Sequence, residues 1–275
     1  MLLGNADDVR IEMAGDLPVA YLPGGSGPRL VLLHGLAQDH RTWSQVQEAL
    51  GDFLTLACDL RGHGSTPLGK GDGTIAQLGN DLVSFLERVG PSVCVGFSLG
   101  GVVALWAAAE RADLVNGVVA IATSSVVGKA AAASLAERIE LFREGEPATI
   151  RSALLSDTRA QLADPKVDPV AVADQRVAAL PDPTGYINGA RAVLSMREQS
   201  VHDRLADISA PVLVVNGEHD RWCPRRAAEI MLEQLKTATF VELPGCGHLV
   251  THDAPIDLAA TVRDWLESKG EDDHF

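Results

Sequence analysis

One stretch of the chain decides the fold: Val93-Cys94-Val95-Gly96-Phe97-Ser98-Leu99-Gly100-Gly101-Val102-Val103-Ala104-Leu105. An apolar run rich in β-branched residues ends at Gly96, and a helical run of small and apolar residues begins after Ser98. The pattern therefore predicts a strand that turns sharply into a helix, with Ser98 at the turn. This arrangement is a nucleophile elbow, G-x-S-x-G, in which a strained turn lifts the serine hydroxyl clear of the sheet edge.

The glycines around Ser98 and the helix after it suit this chemistry. Gly96 and Gly100 lie where a side chain would meet neighbouring backbone. The helix directs free N–H groups and the positive end of its dipole towards a developing oxyanion. Tight packing between a strand and a helix would give the same motif without catalysis. A catalytic role therefore requires a base, an acid and a second oxyanion donor elsewhere in the chain.

Composition limits the classes of function. With 275 residues, of which 46% are hydrophobic, the chain can bury the core of one α/β domain with an insertion. A formal net charge of −14 argues against binding to nucleic acid or to anionic membrane surfaces. No run of about 18 apolar residues predicts a membrane span, and the N-terminus has no signal-peptide pattern. The four scattered cysteines predict a reducing, cytoplasmic setting and no metal site: Cys58, Cys94, Cys223 and Cys246.

The first part of the chain supplies a candidate oxyanion loop. Residues 9–13 and 18–22 predict an antiparallel hairpin, and the apolar run at 30–33 predicts a buried parallel strand. That strand ends in His34-Gly35-Leu36-Ala37. An oxyanion hole of this kind combines one N–H after the nucleophile with one from a loop after an early strand, which here are those of Leu99 and Leu36. We interpret His34 as bracing this loop rather than transferring protons.

A charged, glycine-punctuated loop follows the next predicted strand, at 53–58: Asp59-Leu60-Arg61-Gly62-His63-Gly64-Ser65. It could hold a substrate, or Asp59 and Arg61 could pair and cap neighbouring backbone. We favour the second interpretation. Thr74 is then placed to cap a helix that leads to the strand of the elbow.

A helical insertion interrupts the strand pattern. The apolar run at 115–123 ends without a carboxylate, and from there to residue 208 apolar residues recur at helical spacing. A structureless connection of this length is implausible in a compact domain. The sequence predicts a core of residues 1–127 and 209–275, covered by a helical cap at 128–208.

Two late loops carry an acid and a histidine. Asp220 follows the predicted strand that begins at 212, and His248 follows the last predicted strand, at 239–243. Ligands gather at the carboxyl edge of open α/β sheets, so both side chains are expected near Ser98. His248 would take and return the serine proton, and Asp220 would hold its tautomer. Glu218 is a rival acid and His219 a rival base, but both lie closer to the strand body.

The chain resembles the α/β-hydrolase fold family along nearly its whole length. The matching motifs are His34-Gly35, the loop at 59–65, Gly96-Phe97-Ser98-Leu99-Gly100-Gly101, Gly217-Glu218-His219-Asp220 and Gly247-His248. It is most similar to the small, capped esterase and lactonase branch, which includes 3-oxoadipate enol-lactonases and cofactor-free haloperoxidase-type esterases. The resemblance implies a mostly parallel central sheet flanked by helices, with an inserted helical cap, and no cofactor. A serine at position 98 argues against relatives that use a carboxylate nucleophile.

The expected reaction is hydrolysis of a small carboxylic ester or lactone through an acyl-enzyme formed on Ser98. The same machinery serves hydrolysis of C–C bonds or thioesters, and some proteins of this fold are ligand receptors. The oligomeric state stays open. Candidate pocket residues are the aromatic, apolar and small polar side chains near the predicted sheet edge and cap: Trp43, Phe97, Ser124, Phe142, Tyr186, Met196, Trp222 and Leu249.

Overall fold

The computed structural model describes residues 8–270, so the charged segment at 271–275, predicted as a disordered tail, lies outside the described residues. Its strands are β1 (Arg10–Ala14), β2 (Leu17–Gly24), β3 (Arg29–Leu33), β4 (Leu54–Cys58), β5 (Ser92–Phe97), β6 (Val115–Ile121), β7 (Val212–Gly217) and β8 (Ala238–Leu243). They form one sheet in the order β1-β2-β4-β3-β5-β6-β7-β8. β2 pairs antiparallel with β1 and β4, and the other pairs are parallel. The predicted fold class, a mostly parallel α/β sheet flanked by helices, is confirmed.

Helices cover both faces of the sheet and fill the insertion. They are α1 (Ser44–Ala49), α2 (Ile75–Val89), α3 (Leu99–Glu110), α4 (Lys129–Glu144), α5 (Pro147–Gln161), α6 (Pro169–Ala178), α7 (Pro183–Ser195), α8 (Arg225–Leu232), α9 (Val250–Asp253) and α10 (Pro255–Gly270). Short 3₁₀ turns span His40–Trp43 and His202–Asp207. None of the helices within residues 8–270 is both long and apolar enough to cross a bilayer.

The core consists of two apolar layers because side chains alternate along each buried strand. In β3, Val31 and Leu33 pack with α2, α3 and α8 on one face. Leu30 and Leu32 pack with α1 and α10 on the other. The sheet is thereby held rigid under the loops at its carboxyl edge, where the predicted site residues lie.

Local signals account for most element boundaries. The predicted hairpin is present as β1 and β2, and Thr74 caps α2 by accepting the Gln77 N–H at 3.1 Å. In the insertion, the apolar spacing indicated helices corresponding to α4, α6 and α7, but α5 was missed. Its buried face contains Ile150 and Leu154 but ends in Thr158 and Gln161, so the apolar period stops halfway along the helix.

The end of the insertion packs against the sheet layer. Met196, Val201, Leu205 and Ile208 are buried in the same cluster as α2 and α3. This segment ties the base of α7 to the core and leaves α4 to α7 as the helices placed over the sheet edge. The cap boundaries at 128 and 208 stay a prediction.

Candidate active site

The elbow at Ser98 has a strained backbone. Ser98 has φ 51° and ψ −112°, in the left-handed half of the map that non-glycine residues rarely occupy. Its N–H donates to the Ile121 carbonyl at 2.8 Å, and the Thr123 hydroxyl donates to the Ser98 carbonyl at 2.7 Å. Both bonds come from the neighbouring strand and the loop after it, so the surrounding structure maintains the strain at this one serine.

The flanking glycines are required by close backbone approach. A Cβ at Gly96 would lie 2.2 Å from the Gly100 carbonyl oxygen, and one at Gly100 would lie 2.2 Å from the Leu33 carbonyl oxygen. These distances are far inside van der Waals contact and involve backbone that cannot move aside. Any side chain at either position would open the turn that presents Ser98.

The three side chains predicted to act together are joined by hydrogen bonds. His248 Nε2 lies 3.3 Å from Ser98 Oγ, and His248 Nδ1 lies 2.8 Å from Asp220 Oδ2. Asp220 and His248 are each 5% exposed. Because the carboxylate oxygen can only accept, Nδ1 carries the imidazole proton and Nε2 is free to accept one from the hydroxyl.

Asp220 is itself held in one orientation. Its Oδ1 accepts the N–H groups of Trp222 at 2.8 Å and Cys223 at 2.9 Å, which leaves Oδ2 for His248. The rival acid, Glu218, is exposed and accepts the Gly245 N–H at 2.9 Å, and His219 beside it is exposed too. The ring of His248 is therefore hydrogen-bonded to Asp220 and to Ser98, the two partners that the sequence favoured.

Two backbone donors are available beside the serine. Among residues 8–270, neither the N–H of Leu36 nor that of Leu99 is donated to a partner. The loop of Leu36 is close-packed, since a Cβ at Gly35 would lie 2.7 Å from the Phe97 ring, and Ala37 has φ 56°. A fixed loop with an unused N–H is what oxyanion binding requires.

Two buried histidines support this loop from below. His34 donates from Nδ1 to the Gly35 carbonyl at 2.8 Å and accepts the Leu60 N–H at Nε2 at 2.9 Å, which confirms the bracing role. The rings of His34 and His63 are 5.1 Å apart. Burial lowers the pKa of His34, and burial followed by the proximity of His34 lowers the pKa of His63 to about 3.

This arrangement predicts a loss of stability in mild acid that depends on His63. Below the ordinary histidine pKa of 6.5 the unfolded chain binds protons that the buried rings exclude, so the free energy of unfolding falls as pH falls. In urea unfolding between about pH 5.2 and 6.2, an unfolded histidine is on average about 80% protonated, so His63→Gln should lower the slope of the free energy of unfolding against pH by about 1.1 kcal/mol per pH unit. An unchanged slope would show that His63 is protonated in the folded chain.

The loop at 59–65 is structural, as we favoured. Asp59 Oδ1 accepts the N–H of His40 at 2.7 Å and its Nδ1–H at 2.8 Å, and Asp59 Oδ2 accepts the Ser65 N–H at 2.8 Å. Arg61 forms a two-pronged pair with Asp81, at 2.6 and 2.7 Å. These residues fix the loop that carries His63 and Gly62 against the cap.

A residue that the sequence analysis missed joins the cap to the histidine loop. Asp253, at the end of α9, accepts the N–H groups of Ala163 at 3.1 Å and Asp164 at 3.0 Å, both just after α5. It also accepts the Gly247 N–H at 2.7 Å, next to His248. The only sequence signal is an aspartate shortly after the histidine and before a helix-opening proline, which many loops share.

We expect Asp253→Ala to lower kcat about 10- to 100-fold, because a small displacement of His248 misaligns proton transfer. KM should change little, and the pH profile of kcat should shift because the imidazole loses its fixed position. The exposed Asp257, on α10, provides the matched control Asp257→Ala, which should behave as wild type. A purely structural role for Asp253 would lower the melting temperature and leave the pH profile unchanged.

Some of the candidate pocket residues lie at the site. The Phe97 and Trp222 rings are 5.2 and 6.2 Å from the His248 ring, and Leu249 is buried next to it. Phe142 and Tyr186 stack at 3.7 Å inside the cap.

Other candidates lie elsewhere. Trp43 is fully buried beside α1, and Met196 is buried against the layer of α2 and α3. The Ser124 hydroxyl donates to the Val126 carbonyl at 2.9 Å in its own turn. A place in the substrate pocket stays a prediction for these three side chains.

Two clusters among the described residues contain three possible metal ligands: Asp220, Cys223 and His248, and Asp39, His40 and Asp59. In both, the carboxylates and imidazoles already bond to one another or to backbone. Burial also raises the pKa of the Cys223 thiol well above its ordinary value, whereas metals bind the thiolate. The absence of a metal or cofactor in the working protein stays a prediction.

Comparisons with known proteins identify the family and the fold. Residues 30–261 match the model of the alpha/beta hydrolase family. The chain is 28% identical over 234 residues to a pimeloyl-[acyl-carrier protein] methyl ester esterase of Nitrosomonas europaea, covering 82% of this chain and 90% of that one. It is 23% identical over 267 residues to the (E)-2-((N-methylformamido)methylene)succinate hydrolase of Acinetobacter baylyi, covering 94% and 97%.

A solved structure has the same fold. The enol-lactonase of Burkholderia xenovorans LB400 superimposes with a TM-score of 0.83 at 24% identity, covering 94% of this chain and 100% of that one. The cap and core of the two proteins therefore follow one plan over almost their full lengths.

Proposed function

The chain belongs to the alpha/beta hydrolase family and is a hydrolase, and from that premise we propose that it cleaves a small carboxylic ester or lactone with a Ser98–His248–Asp220 triad. The observation that carries the proposal is the pair of hydrogen bonds made by His248, from Nδ1 to Asp220 Oδ2 at 2.8 Å and between Nε2 and Ser98 Oγ at 3.3 Å. Hydrogen-bonded nucleophile and base, with the base oriented by a third group, are the signature of an activated serine.

The mechanism follows from the geometry. Ser98 Oγ attacks the acyl carbon while His248 Nε2 takes its proton, and the resulting oxyanion accepts the N–H groups of Leu36 and Leu99. The imidazolium, stabilised by Asp220, gives that proton to the leaving alkoxide. An acyl-enzyme remains, and the alcohol departs from an ester or stays attached to the acyl group when the substrate is a lactone. Water then loses a proton to His248 and attacks the acyl carbon, and the returning proton regenerates the Ser98 hydroxyl with release of the acid.

The relatives support an acyl carbonyl as the point of attack. One acts on a methyl ester, one is named an enol-lactonase, and one acts on an amide-bearing succinate, as their names state. We further propose a cytoplasmic setting, since all four cysteines lie in the described part of the chain and are free.

A substrate panel tests the reaction class. Purified protein should hydrolyse p-nitrophenyl esters or small lactones faster than the matching thioesters and vinylogous diketones. Faster turnover of a diketone would change the assignment to C–C bond hydrolysis. A single slow turnover that leaves the ligand bound would favour a receptor.

A further inference from the structure

The cap contains a buried cation without a carboxylate partner. Arg176, on α6, is 6% exposed and forms no ion pair within residues 8–270. Its Nη1 donates to Thr158 Oγ1 at 2.9 Å and to Gln161 Oε1 at 2.8 Å. Its Nε is buried without a partner, and its Nη2 makes no hydrogen bond in the described chain. Two neutral oxygens thus hold one nitrogen of the guanidinium and leave donors on the other two free.

A buried guanidinium is energetically unfavourable unless a carboxylate or further hydrogen-bond acceptors bind its donors. Removing a guanidinium from water without a counter-charge is strongly unfavourable, and burial lowers the pKa of Arg176 accordingly. Acidic residues are not scarce, since the chain has 37 of them against 23 lysines and arginines. Asp157, on α5, lies near enough for its charge to raise the pKa of Arg176 and offset part of the effect of burial, but its carboxylate hydrogen-bonds to Arg138 at 2.7 Å. A carboxylate that bonds directly to the free donors of Arg176 is therefore expected from outside the chain.

Holding α5 against α6 does not require this arginine. An ordinary exposed pair, Arg151 with Asp174, already links the two helices at 2.6 Å. Arg176 lies instead on the buried face, where α5 supplies a fully buried threonine and a glutamine that is 7% exposed. Thr158 donates its own proton to the Leu154 carbonyl at 2.7 Å, so its oxygen is committed to accepting from Arg176.

The guanidinium is connected to the histidine loop through Gln161. Gln161, which holds Nη1, also accepts the N–H groups of His248 at 2.8 Å and Leu249 at 3.3 Å through its carbonyl. Burial and then the charge of Arg176 lower the pKa of His252, in the helix that follows His248. A single residue therefore separates the cation from the triad histidine.

On its other side the cation faces the helix that covers the oxyanion loop. Arg176 lies near Tyr186, on α7. In the same helix Gly189 is so near Leu36 and Leu99 that a Cβ there would lie 2.8 and 3.2 Å from their side chains. Arg176 is thus flanked by the histidine loop and by the helix over the two proposed oxyanion donors.

We propose that Arg176 binds a carboxylate of the substrate, so that the natural substrate is an anionic ester or lactone with a free carboxylate on the acyl side or leaving group. A planar guanidinium with unused parallel donors is the protein group best matched to a carboxylate. Thr158 and Gln161 preorganise it, which lowers the entropy lost on binding. This inference rests on the proposed esterase function for its kinetic test but not for its binding test.

The kinetic test uses p-nitrophenyl esters whose acyl group is a succinyl, glutaryl or adipoyl arm, each with a free or a methyl-capped carboxylate. For the arm length that fits, wild type should favour the anionic ester at least tenfold in kcat/KM. Arg176→Gln should lower kcat/KM for that ester about 10- to 100-fold, mainly through KM, and change the methyl-capped ester less than about threefold. Arg176→Lys should retain part of the preference. The matched control Arg151→Gln should leave both esters unchanged.

Binding is measured separately by calorimetry with succinate, glutarate and adipate against their diamides. Binding of a diacid that Arg176→Gln abolishes, with no ester turned over, would overturn the proposed function and leave the anion site standing. Hydrolysis without any preference for the anionic esters, with no diacid bound, would overturn the anion site alone. Equal loss on both ester types in Arg176→Gln would assign the residue a structural role. If that variant fails to fold, the wild-type preference and Arg176→Lys decide between these outcomes.

Discussion

Replacing Ser98 by alanine is expected to lower kcat for a p-nitrophenyl ester about 10⁴- to 10⁶-fold, to the residual rate that binding and an intact oxyanion hole sustain. The hydroxyl oxygen is the atom that would form the acyl bond, and no other nucleophile stands within hydrogen-bond reach of His248 Nε2 in the described chain. KM should change little because the removed oxygen makes no other contact. The measurement is initial-rate release of p-nitrophenol, with an acyl-enzyme burst in wild type and none in the variant.

The chain provides a matched control for this variant. Ser125 Oγ lies 3.1 Å from His202 Nδ1, a second serine–histidine pair that lies off the elbow and in which no carboxylate within residues 8–270 bonds to the imidazole. Ser125→Ala should retain full activity. Both variants should melt close to wild type, since alanine can occupy the same turn and the backbone bonds at position 98 do not use the side chain. An active Ser98→Ala protein, or an inactive Ser125→Ala protein, would contradict the assignment.

The core fold could be predicted because its signals are local. The mostly apolar runs of β3, β5, β6 and β7 indicate strands buried on both faces. The elbow was also readable, since Gly96 and Gly100 are demanded by backbone contacts within a few residues of Ser98. The order of the late loops then placed an acid and a histidine at the same sheet edge.

The cap was less predictable because its buried faces are partly polar. α5 presents Ile150 and Leu154 inward but continues with Thr158 and Gln161, whose buried side chains accept hydrogen bonds from Arg176. A helix face whose polar side chains bond to an arginine on another helix has no apolar repeat from which the helix could be predicted.

Long-range hydrogen bonds were invisible for a different reason. Asp253 binds backbone that is about 90 residues away in sequence, and Gln161 caps the loop of His248 through a main-chain carbonyl. Side-chain identity says nothing about which backbone groups will be brought within reach. Trp43 and Met196 illustrate the same limit, since large apolar side chains look alike whether they fill a core or line a pocket.

Replacing Asp220 by asparagine is expected to lower kcat about 10⁴-fold while leaving the loop in place. The N–H groups of Trp222 and Cys223 both point at Oδ1, so the amide oxygen must stay there and the amide nitrogen must face His248 Nδ1. An amide N–H donates, so Nδ1 would have to accept and the imidazole proton would move to Nε2. Ser98 would then face a donor and could not lose its proton.

The rival acid supplies the control for this last experiment. Glu218→Gln keeps an oxygen for the Gly245 N–H, which Glu218 accepts at 2.9 Å, and removes the only other nearby carboxylate that the sequence analysis considered. It should change kcat by less than about twofold, because a solvated side chain outside the hydrogen-bond line to Ser98 contributes little to orienting the imidazole. If Glu218→Gln were the inactive variant and Asp220→Asn the active one, His248 would have to swing away from Asp220 during catalysis. The static geometry argues against that motion, since the His248 backbone is fixed by Gln161 and its ring lies against Phe97.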